Sequence, residues 1–343
     1  MLTRRDVLGG IGGLSVAAIA GGNSRSWAAA QVNWKGIANH RRGASWAERW
    51  PWLGSELASR SGGTFNLETS TVPELGLTGT EIPRMLRTSL MDIADIVVGY
   101  VSGELPMLEA VQLPGIFTGP ADLRKVHERW IPEVLSKQEK VMGGKIYGMG
   151  DYSTSFLVSR FPVDGLDAIK GKKIRIFSAS QADMLNALGA ETLSLPSAEM
   201  YSALERGVID AVVTGPDQIF GQKLNEVATH VTDLQLGDSP FYTIVSESAW
   251  SALDPEHIKL LEELKPEFTD RGWKSVEMNN KQGLDYAAQN GMTVVTPSRE
   301  EWREQIKTIG RDVVVKNWAK RAGSDGVTAF NEIIAPIAGF KAE

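Results

Sequence analysis

Between residues 173 and 214, short apolar segments alternate with helix-forming segments, and a glycine ends each helix. A strand-like segment starts at Lys173, the helix after it ends at Gly189, and the next helix ends at Gly207 before another apolar run. Strands that alternate with helices of about ten residues are typical of parallel sheets covered on both faces. The pattern therefore predicts an α/β fold.

A long helical pattern begins at Asp254, an N-cap residue followed by Pro255 at the first helical position. The pattern continues to about Asn290, and a helix of that length spans about 54 Å at 1.5 Å per residue. Because this exceeds the width of one lobe, we expect the helix to cross two. Pro266 and Gly272 are predicted to kink or divide it.

Length and composition limit the possible classes of protein. The 343 residues suggest two packed units, because one domain takes roughly 150 residues. The absence of cysteine excludes disulfide scaffolds, thiolate zinc sites and cysteine nucleophiles. The formal net charge of −6 argues against a nucleic-acid partner, which requires a basic surface.

Residues 1–30 have the layout of an export signal. Arg4 and Arg5 precede an apolar run that ends near Gly22, and small residues at 28–30 offer a cleavage site. The arginine pair predicts the twin-arginine route and hence a periplasmic protein. An uncleaved membrane anchor is the alternative, but the run of about 15 residues is shorter than the ~20 that a spanning helix needs.

The sequence carries no enzyme signature, so we expect neither catalysis nor a cofactor or metal. The four histidines are too far apart for a local metal motif, and no Walker A, zincin or nucleophile-elbow pattern is present. Arg175 is the most informative polar residue, because it interrupts an apolar strand just before a helix begins. Ligands bind beyond the carboxyl ends of such strands, where an arginine can hold a carboxylate. A structural salt bridge or a solvated strand end is the alternative.

Five segments in order resemble the DctP-type solute-binding proteins of tripartite ATP-independent periplasmic (TRAP) transporters. Residues 166–175 are similar to the family's L-x-D-L-K-G-L-K-I-R, residues 187–190 to its A-L-G-A, and residues 197–210 to its E-x-Y-x-A-L-x-x-G-x-x-D. Residues 100–106 and 112–117 are similar to Y-x-x-G-x-x-P and D-L-P-F-L-F. Any one segment is weak evidence, but five in the family's order behind an export signal make a specific match.

The resemblance implies a two-lobed venus-flytrap fold, each lobe a mostly parallel sheet flanked by helices, with the long helix across both. It assigns 31–151 and about 241–280 to lobe I, and 152–240 and about 281–343 to lobe II. It implies a monomer that captures a small organic carboxylate by hinge closure and delivers it to the small and large membrane subunits of a permease. A sensory binding protein that presents its ligand to a receptor, or a periplasmic enzyme on this scaffold, are the alternatives.

The resemblance also implies where the ligand binds. Arg175 matches the arginine that clamps the ligand carboxylate in the family. The family's second arginine is missing from 154–156, and its asparagine is missing from 210–216, so the pocket is expected to be less cationic and less polar. Further residues predicted to contact the ligand are Tyr100, Tyr152, Phe177, Thr214 and Gly215. Glu74 is predicted to meet an amine or hydroxyl of the ligand, with a turn residue as the alternative.

Overall fold

The computed structural model describes residues 31–40, 44–117 and 119–343. The predicted export signal at residues 1–30 lies outside the described residues. Within them, no helix is both long enough and apolar enough to cross a membrane.

The strands form two separate sheets, which define the two lobes. The sheet of lobe I has the order β2-β1-β3-β10-β4, and the sheet of lobe II has the order β11-β9-β5-β8-β6-β7. The strands are β1 (Val32–Ala38), β2 (Phe65–Thr71), β3 (Ile93–Val97), β4 (Gly144–Thr154), β5 (Phe156–Ser159), β6 (Lys173–Ile176), β7 (Glu191–Ser194), β8 (Ala211–Thr214), β9 (His230–Thr232), β10 (Asp238–Ser246) and β11 (Thr293–Val295).

Helices flank both sheets, as the two-lobed α/β prediction requires. They are α1 (Ala44–Arg60), α2 (Ile82–Arg87), α3 (Val98–Val101), α4 (Pro106–Glu109), α5 (Pro120–Glu133), α6 (Glu139–Met142), α7 (Ala179–Ala187), α8 (Met200–Glu205), α9 (Pro216–Gln222), α10 (Glu247–Ser251), α11 (Pro255–Gln289), α12 (Glu300–Ile309), α13 (Lys316–Ala329) and α14 (Ala335–Ala338). Short 3-10 turns lie at Ala110–Gln112, Leu135–Gln138, Leu166–Ile169, Ser197–Glu199 and Leu224–Glu226.

Both sheets are mixed, and the antiparallel strands lie where the chain crosses between the lobes. β10 is antiparallel to β3 and β4, and β5 is antiparallel to β8 and β9. β5 follows β4 after one residue, and β10 enters lobe I after β9 of lobe II. Parallel neighbours need a crossover connection, usually a helix, whereas these strands enter directly from the other lobe. The remaining pairs, such as β1 with β2 and β6 with β8, are parallel.

Helix α11 crosses both lobes without a break. It packs on α1 and β4 of lobe I and on α9 of lobe II. Asp254 is its N-cap, accepting a hydrogen bond from the amide of His257 at 2.9 Å. Because the helix is continuous through Pro266 and Gly272, the prediction that they divide it is wrong, while a kink there stays a prediction. Gly272 serves packing instead, since a Cβ there would stand 2.7 Å from the carbonyl oxygen of Met149 on β4.

The C-terminal helices do not belong to one lobe alone. Helix α13 contacts α4 of lobe I and α7 of lobe II, and its Arg321 donates to Glu109 of α4 and to Asp183 of α7 at 3.0 and 2.8 Å. The lobe boundaries inferred from the sequence remain a prediction. That prediction assigns α13 to lobe II, whereas its contacts are with both lobes.

Candidate ligand-binding site

A cleft between the two lobes holds a cavity of about 490 Å³. A smaller cavity of about 70 Å³ adjoins it, and both are lined by Thr78, Tyr100 and Pro196. Lobe I contributes residues of the β2–α2 loop and α3, and lobe II contributes the segments after β6 and β7. Neither cavity is lined by a lysine or arginine within the described ranges. The other lining residues of the larger cavity are Thr80, Gly99, Ser102, Gly103, Ile176, Phe177, Ser178, Ala179, Ser194 and Leu195.

Arg175 lies on β6 at this cleft, with only 1% of its surface exposed. Its Nε donates to the Leu195 carbonyl and its Nη1 donates to the Val213 carbonyl, both at 2.9 Å. Its Nη2 is buried and makes no well-formed hydrogen bond with a described residue, although the Tyr100 hydroxyl is close enough to favour the charged guanidinium. Arg175 forms no salt bridge with a described residue. Burial lowers the pKa of the guanidinium, and the Tyr100 hydroxyl partly opposes that shift. A buried cation without an anionic partner is unfavourable, so the arrangement suits an anionic ligand.

Phe177 and Tyr100 come together with Arg175, as the sequence predicted. The Phe177 ring lies 5.4 Å from the Cζ atom of Arg175, and its centroid is 5.9 Å from that of Tyr100 in an edge-to-face arrangement. Phe177 belongs to lobe II and Tyr100 to α3 of lobe I, so this aromatic contact joins the two walls of the cleft. A Cβ at Gly99 would stand 2.5 Å from the Phe177 ring, which explains why glycine precedes Tyr100.

Two amide side chains beside the cleft were missed by sequence reasoning. Asn39, which follows β1, lines the smaller cavity, and its Nδ2 is buried without a partner. Gln112 is fully buried in a 3-10 turn of lobe I, and neither of its amide atoms has a partner in the described part of the chain. Most buried polar atoms are paired in native proteins. One feature of the sequence could have pointed to Gln112: it begins the segment 112–117, where the family pattern has aspartate.

His40 and Asp217 connect the lobes at the smaller cavity. His40 Nδ1 lies 3.6 Å from Asp217 Oδ2, a contact that is an ion pair when His40 is protonated. Burial favours the neutral form of Asp217, but the nearby His40 and hydrogen bonds from Gln218 and Ser153 outweigh this effect and lower the pKa of Asp217. The site therefore has an acidic group at this end and a cation at the Arg175 end.

Tyr152 is absent from the lining of both cavities, and its predicted contact with a ligand stays a prediction. Its side chain is 1% exposed, and its hydroxyl donates to Asp95 at 2.7 Å and accepts from the Asn39 amide at 3.2 Å. The His40 ring stacks on it, with the centroids 3.8 Å apart. The tyrosine is held in the core of lobe I because the buried Asp95 requires donors.

Thr214 and Gly215 also lie outside the lining of both cavities. Thr214 is buried at the end of β8, where it pairs with Phe156 of β5. Gly215 precedes α9, and a Cβ there would stand 1.8 Å from the Ser153 hydroxyl oxygen of β4. Gly215 thus permits close approach of α9 to β4, and the predicted ligand contacts of Thr214 and Gly215 stay predictions.

Glu74 is an exposed turn residue. Its Oε2 accepts a hydrogen bond from the Thr71 amide at 2.9 Å, and the Glu74 amide donates to the Thr71 hydroxyl at 3.4 Å. Glu74 is absent from the lining of either cavity, although the adjacent Pro73 lines the smaller one. These bonds are those of the turn role that the sequence left open, and a contact of Glu74 with a ligand stays a prediction.

The family model for DctP, the bacterial extracellular solute-binding proteins of family 7, matches residues 47–317. The chain belongs to this family. Membership confirms the resemblance that the five sequence segments indicated. The match includes the cleft-lining residues between Val72 and Gln222 and the whole of helix α11.

A curated relative is the C4-dicarboxylate-binding periplasmic protein DctP of Rhodobacter capsulatus, which is 28% identical over 229 residues. The alignment covers 64% of this chain and 66% of that protein. The 2,3-diketo-L-gulonate-binding periplasmic protein YiaO of Escherichia coli is 23% identical over 235 residues, 68% of this chain and 71% of that protein.

Solved structures of the family share the fold. An extracytoplasmic solute receptor of Bordetella pertussis that binds pyroglutamic acid superposes with a TM-score of 0.81 at 21% identity, covering 90% of this chain and 100% of that one. A TRAP periplasmic solute-binding protein of Desulfovibrio salexigens with bound orotic acid gives a TM-score of 0.82 at 18% identity and the same coverage. At these identities the likeness establishes the two-lobed fold alone.

Proposed function

We propose that this protein is an extracytoplasmic receptor that captures a small organic carboxylate between its lobes for a TRAP transporter. The observation that carries the proposal is Arg175, a buried guanidinium at the cleft with one nitrogen unpaired and no carboxylate partner among the described residues. Arginine binds carboxylates through planar, charge-assisted hydrogen bonds. The carboxylates bound by relatives, among them pyroglutamate and orotate, are of a size that suits a cavity of about 490 Å³.

Native mass spectrometry of the exported protein, purified without denaturation, tests this assignment. A co-purified organic acid should appear as a discrete mass increment that disappears after unfolding and refolding. Adding the acid back should then raise the melting temperature, by the equivalent of about 2.7 kcal/mol at a hundredfold excess over Kd. A protein that neither retains nor binds any acid in a broad carboxylate panel contradicts the proposal.

Closure of the cleft around a hinge is the proposed mechanism of capture. The lobes are joined by the β4–β5 connection, by the segment between β9 and β10, and by helix α11. The contacts of Tyr100 with Phe177 and of His40 with Asp217 link the walls of the cleft and would break on opening. Small-angle scattering should give a smaller radius of gyration with ligand than without it. Superimposable curves with a confirmed ligand would contradict hinge closure.

Membership in this family supports the further proposal that the receptor delivers its ligand to the small and large membrane subunits of a permease. Export through the predicted twin-arginine signal at Arg4 and Arg5 would place the receptor in the periplasm. Replacing both arginines with lysine should leave the precursor in the cytoplasm. Normal periplasmic yield of that variant would contradict the twin-arginine route and leave an ordinary secretory signal.

A further inference from the structure

The amide of the Gln112 side chain is fully buried and lacks a hydrogen-bond partner among the described residues. Both its Nε2 and its Oε1 lack a hydrogen-bond partner within the described residues. The energetic cost of such a group is substantial, because the amide has lost its water and gained no replacement. A buried unpaired donor and acceptor in one side chain therefore needs an explanation.

Gln112 lies directly behind an aromatic wall of the cleft. A Cβ placed on Gly99, which lines the larger cavity, would stand 3.0 Å from Gln112 Nε2 and 2.5 Å from Phe177 Cδ2. The amide and the ring thus meet on the same side of Gly99. Phe177 lines the cavity, whereas Gln112 and Arg175 do not. The ring, which itself lines the cavity, therefore lies beside both polar groups.

Arg175 presents the second unpaired group at the same place. The Phe177 ring lies 5.4 Å from its Cζ atom, and its Nη2 has no partner among the described residues. One aromatic side chain consequently stands next to a free guanidinium nitrogen on lobe II and a free primary amide on lobe I. Rotation of the Phe177 side chain would open both groups to a ligand in the cavity.

We propose that Arg175 and Gln112 form one polar subsite beneath Phe177, which takes a monocarboxylate that also carries a neutral amide. The inference rests on the proposed function. Arg175 binds the carboxylate, and Gln112 donates to the carbonyl and accepts from the N–H of the ligand amide, since a primary amide offers both roles. A second carboxylate would place negative charge against Gln112 Oε1, and no lysine or arginine of the described residues lines the cavities to offset it.

Gln181 provides a matched control within the same part of the fold. It is also fully buried, but its Oε1 accepts from the Phe177 amide at 3.2 Å and its Nε2 donates to the Leu236 carbonyl at 3.3 Å. Gln181 is thus a satisfied structural glutamine beside an unsatisfied one. Replacing each with methionine, which has a similar length and no amide, separates the two roles.

The experiment combines melting temperatures of the ligand-free variants with calorimetric binding of three probes. The probes are pyroglutamate, which has a carboxylate and a ring amide, cyclopentanecarboxylate, which lacks the amide, and succinate, a dicarboxylate. Without ligand, Gln112→Met should melt at or above the wild-type temperature, whereas Gln181→Met should melt below it. Wild-type protein should bind pyroglutamate at least ~10-fold more tightly than either other probe. Gln112→Met should bind pyroglutamate and cyclopentanecarboxylate with similar affinity.

Three results would overturn the inference while the proposed function stands. One is an unchanged preference for pyroglutamate in Gln112→Met. Another is a decrease in the melting temperature of Gln112→Met that is as large as the decrease in Gln181→Met. Wild-type binding of succinate in preference to pyroglutamate would likewise overturn it. If the wild-type protein binds none of these probes and no acid in the wider panel, the proposed function fails, and the inference fails with it.

Discussion

Arg49 and Asp95 form a two-bond ion pair inside lobe I, with Nη1–Oδ1 and Nη2–Oδ2 distances of 3.3 and 2.8 Å and both side chains fully buried. Tyr152 and Thr243 add hydrogen bonds to the same carboxylate at 2.7 and 2.6 Å. Burial alone lowers the pKa of Arg49, but Asp95 and Tyr152 outweigh it and raise that pKa. Both Nη atoms of Arg49 therefore bind a carboxylate, whereas Arg175 at the cleft binds no carboxylate of the described residues.

Arg49→Ala should strongly destabilise the protein. The substitution leaves Asp95 buried without its cationic partner, and breaking a buried pair in this way costs about 3–5 kcal/mol. Urea unfolding followed by circular dichroism measures the change. Arg60→Ala on the same helix removes an exposed pair with Glu263 and should cost at most about 1 kcal/mol. Equal losses in both variants would contradict a special role for the buried pair.

Arg175 variants should lose binding of the identified carboxylate. Truncating one partner of a buried charged pair costs about 2–5 kcal/mol, so Arg175→Ala should bind at least ~30-fold more weakly. Arg175→Lys should also bind poorly, because an ammonium group cannot reproduce the planar two-bond geometry. Isothermal calorimetry measures both affinities.

Stability must be followed in the same variants, because Arg175 also holds the Leu195 and Val213 carbonyls. Arg175→Ala leaves these two acceptors without their donor and should lower the melting temperature moderately, while the circular dichroism spectrum stays native. Arg206→Ala, at an exposed arginine of lobe II, should change neither binding nor melting. Wild-type affinity in both Arg175 variants would show that the ligand is not held by this arginine.

Elements that depend on local sequence were predictable. The N-cap at Asp254 and the long periodic pattern gave the start and extent of α11, and the alternation after Lys173 gave β6 to β8. The antiparallel β5 and β10 were not predictable, because their direction depends on where the chain crosses between lobes. Pro266 did not divide α11, since its packing on β4 and α1 outweighs one missing backbone hydrogen bond.

The candidate site was predictable only in part. Arg175, Phe177 and Tyr100 lie in or beside segments that resemble the family, and the structure brings them together. Asn39 lies outside these segments and Gln112 begins one of them, but nothing local distinguishes a buried unpaired amide from a paired one. Only the tertiary structure shows which polar atoms have lost water without gaining a partner.

Gly272→Ala should destabilise the crossing of α11 over β4. The new Cβ would stand 2.7 Å from the Met149 carbonyl oxygen and 3.3 Å from the Gly150 Cα, so helix and strand must separate. Overpacking of this kind costs about 1–3 kcal/mol. Gly54→Ala in α1 is the control, because its nearest neighbour, the Leu67 carbonyl oxygen, is 3.4 Å away and the helix should gain up to about 1 kcal/mol. If urea unfolding shows no decrease in the free energy of unfolding of Gly272→Ala, the close crossing of helix and strand is contradicted.

Asp238→Asn should stabilise the protein at neutral pH and have little effect in acid. Burial raises the pKa of Asp238 to about 6, and Asp233 adds to this, while a hydrogen bond with Thr154 opposes it. Asp151, buried on the neighbouring strand β4, also has a raised pKa because of burial and the nearby Asp238. Because the folded state binds the proton of Asp238 more tightly than the unfolded state does, the wild-type protein is stabilised at low pH.

That stabilisation is lost as the pH rises from about 4, the unfolded pKa of aspartate, through about 6. A pKa shift of this size lowers the free energy of unfolding of the wild-type protein by about 3 kcal/mol at pH 7.5 relative to low pH. Asp238→Asn should recover this stability because asparagine does not ionise. Thermal unfolding of both proteins between pH 4 and 7.5 measures the difference, which should grow steadily with pH. A difference that stays constant over this range would mean that Asp238 titrates alike in both states and would contradict the burial argument.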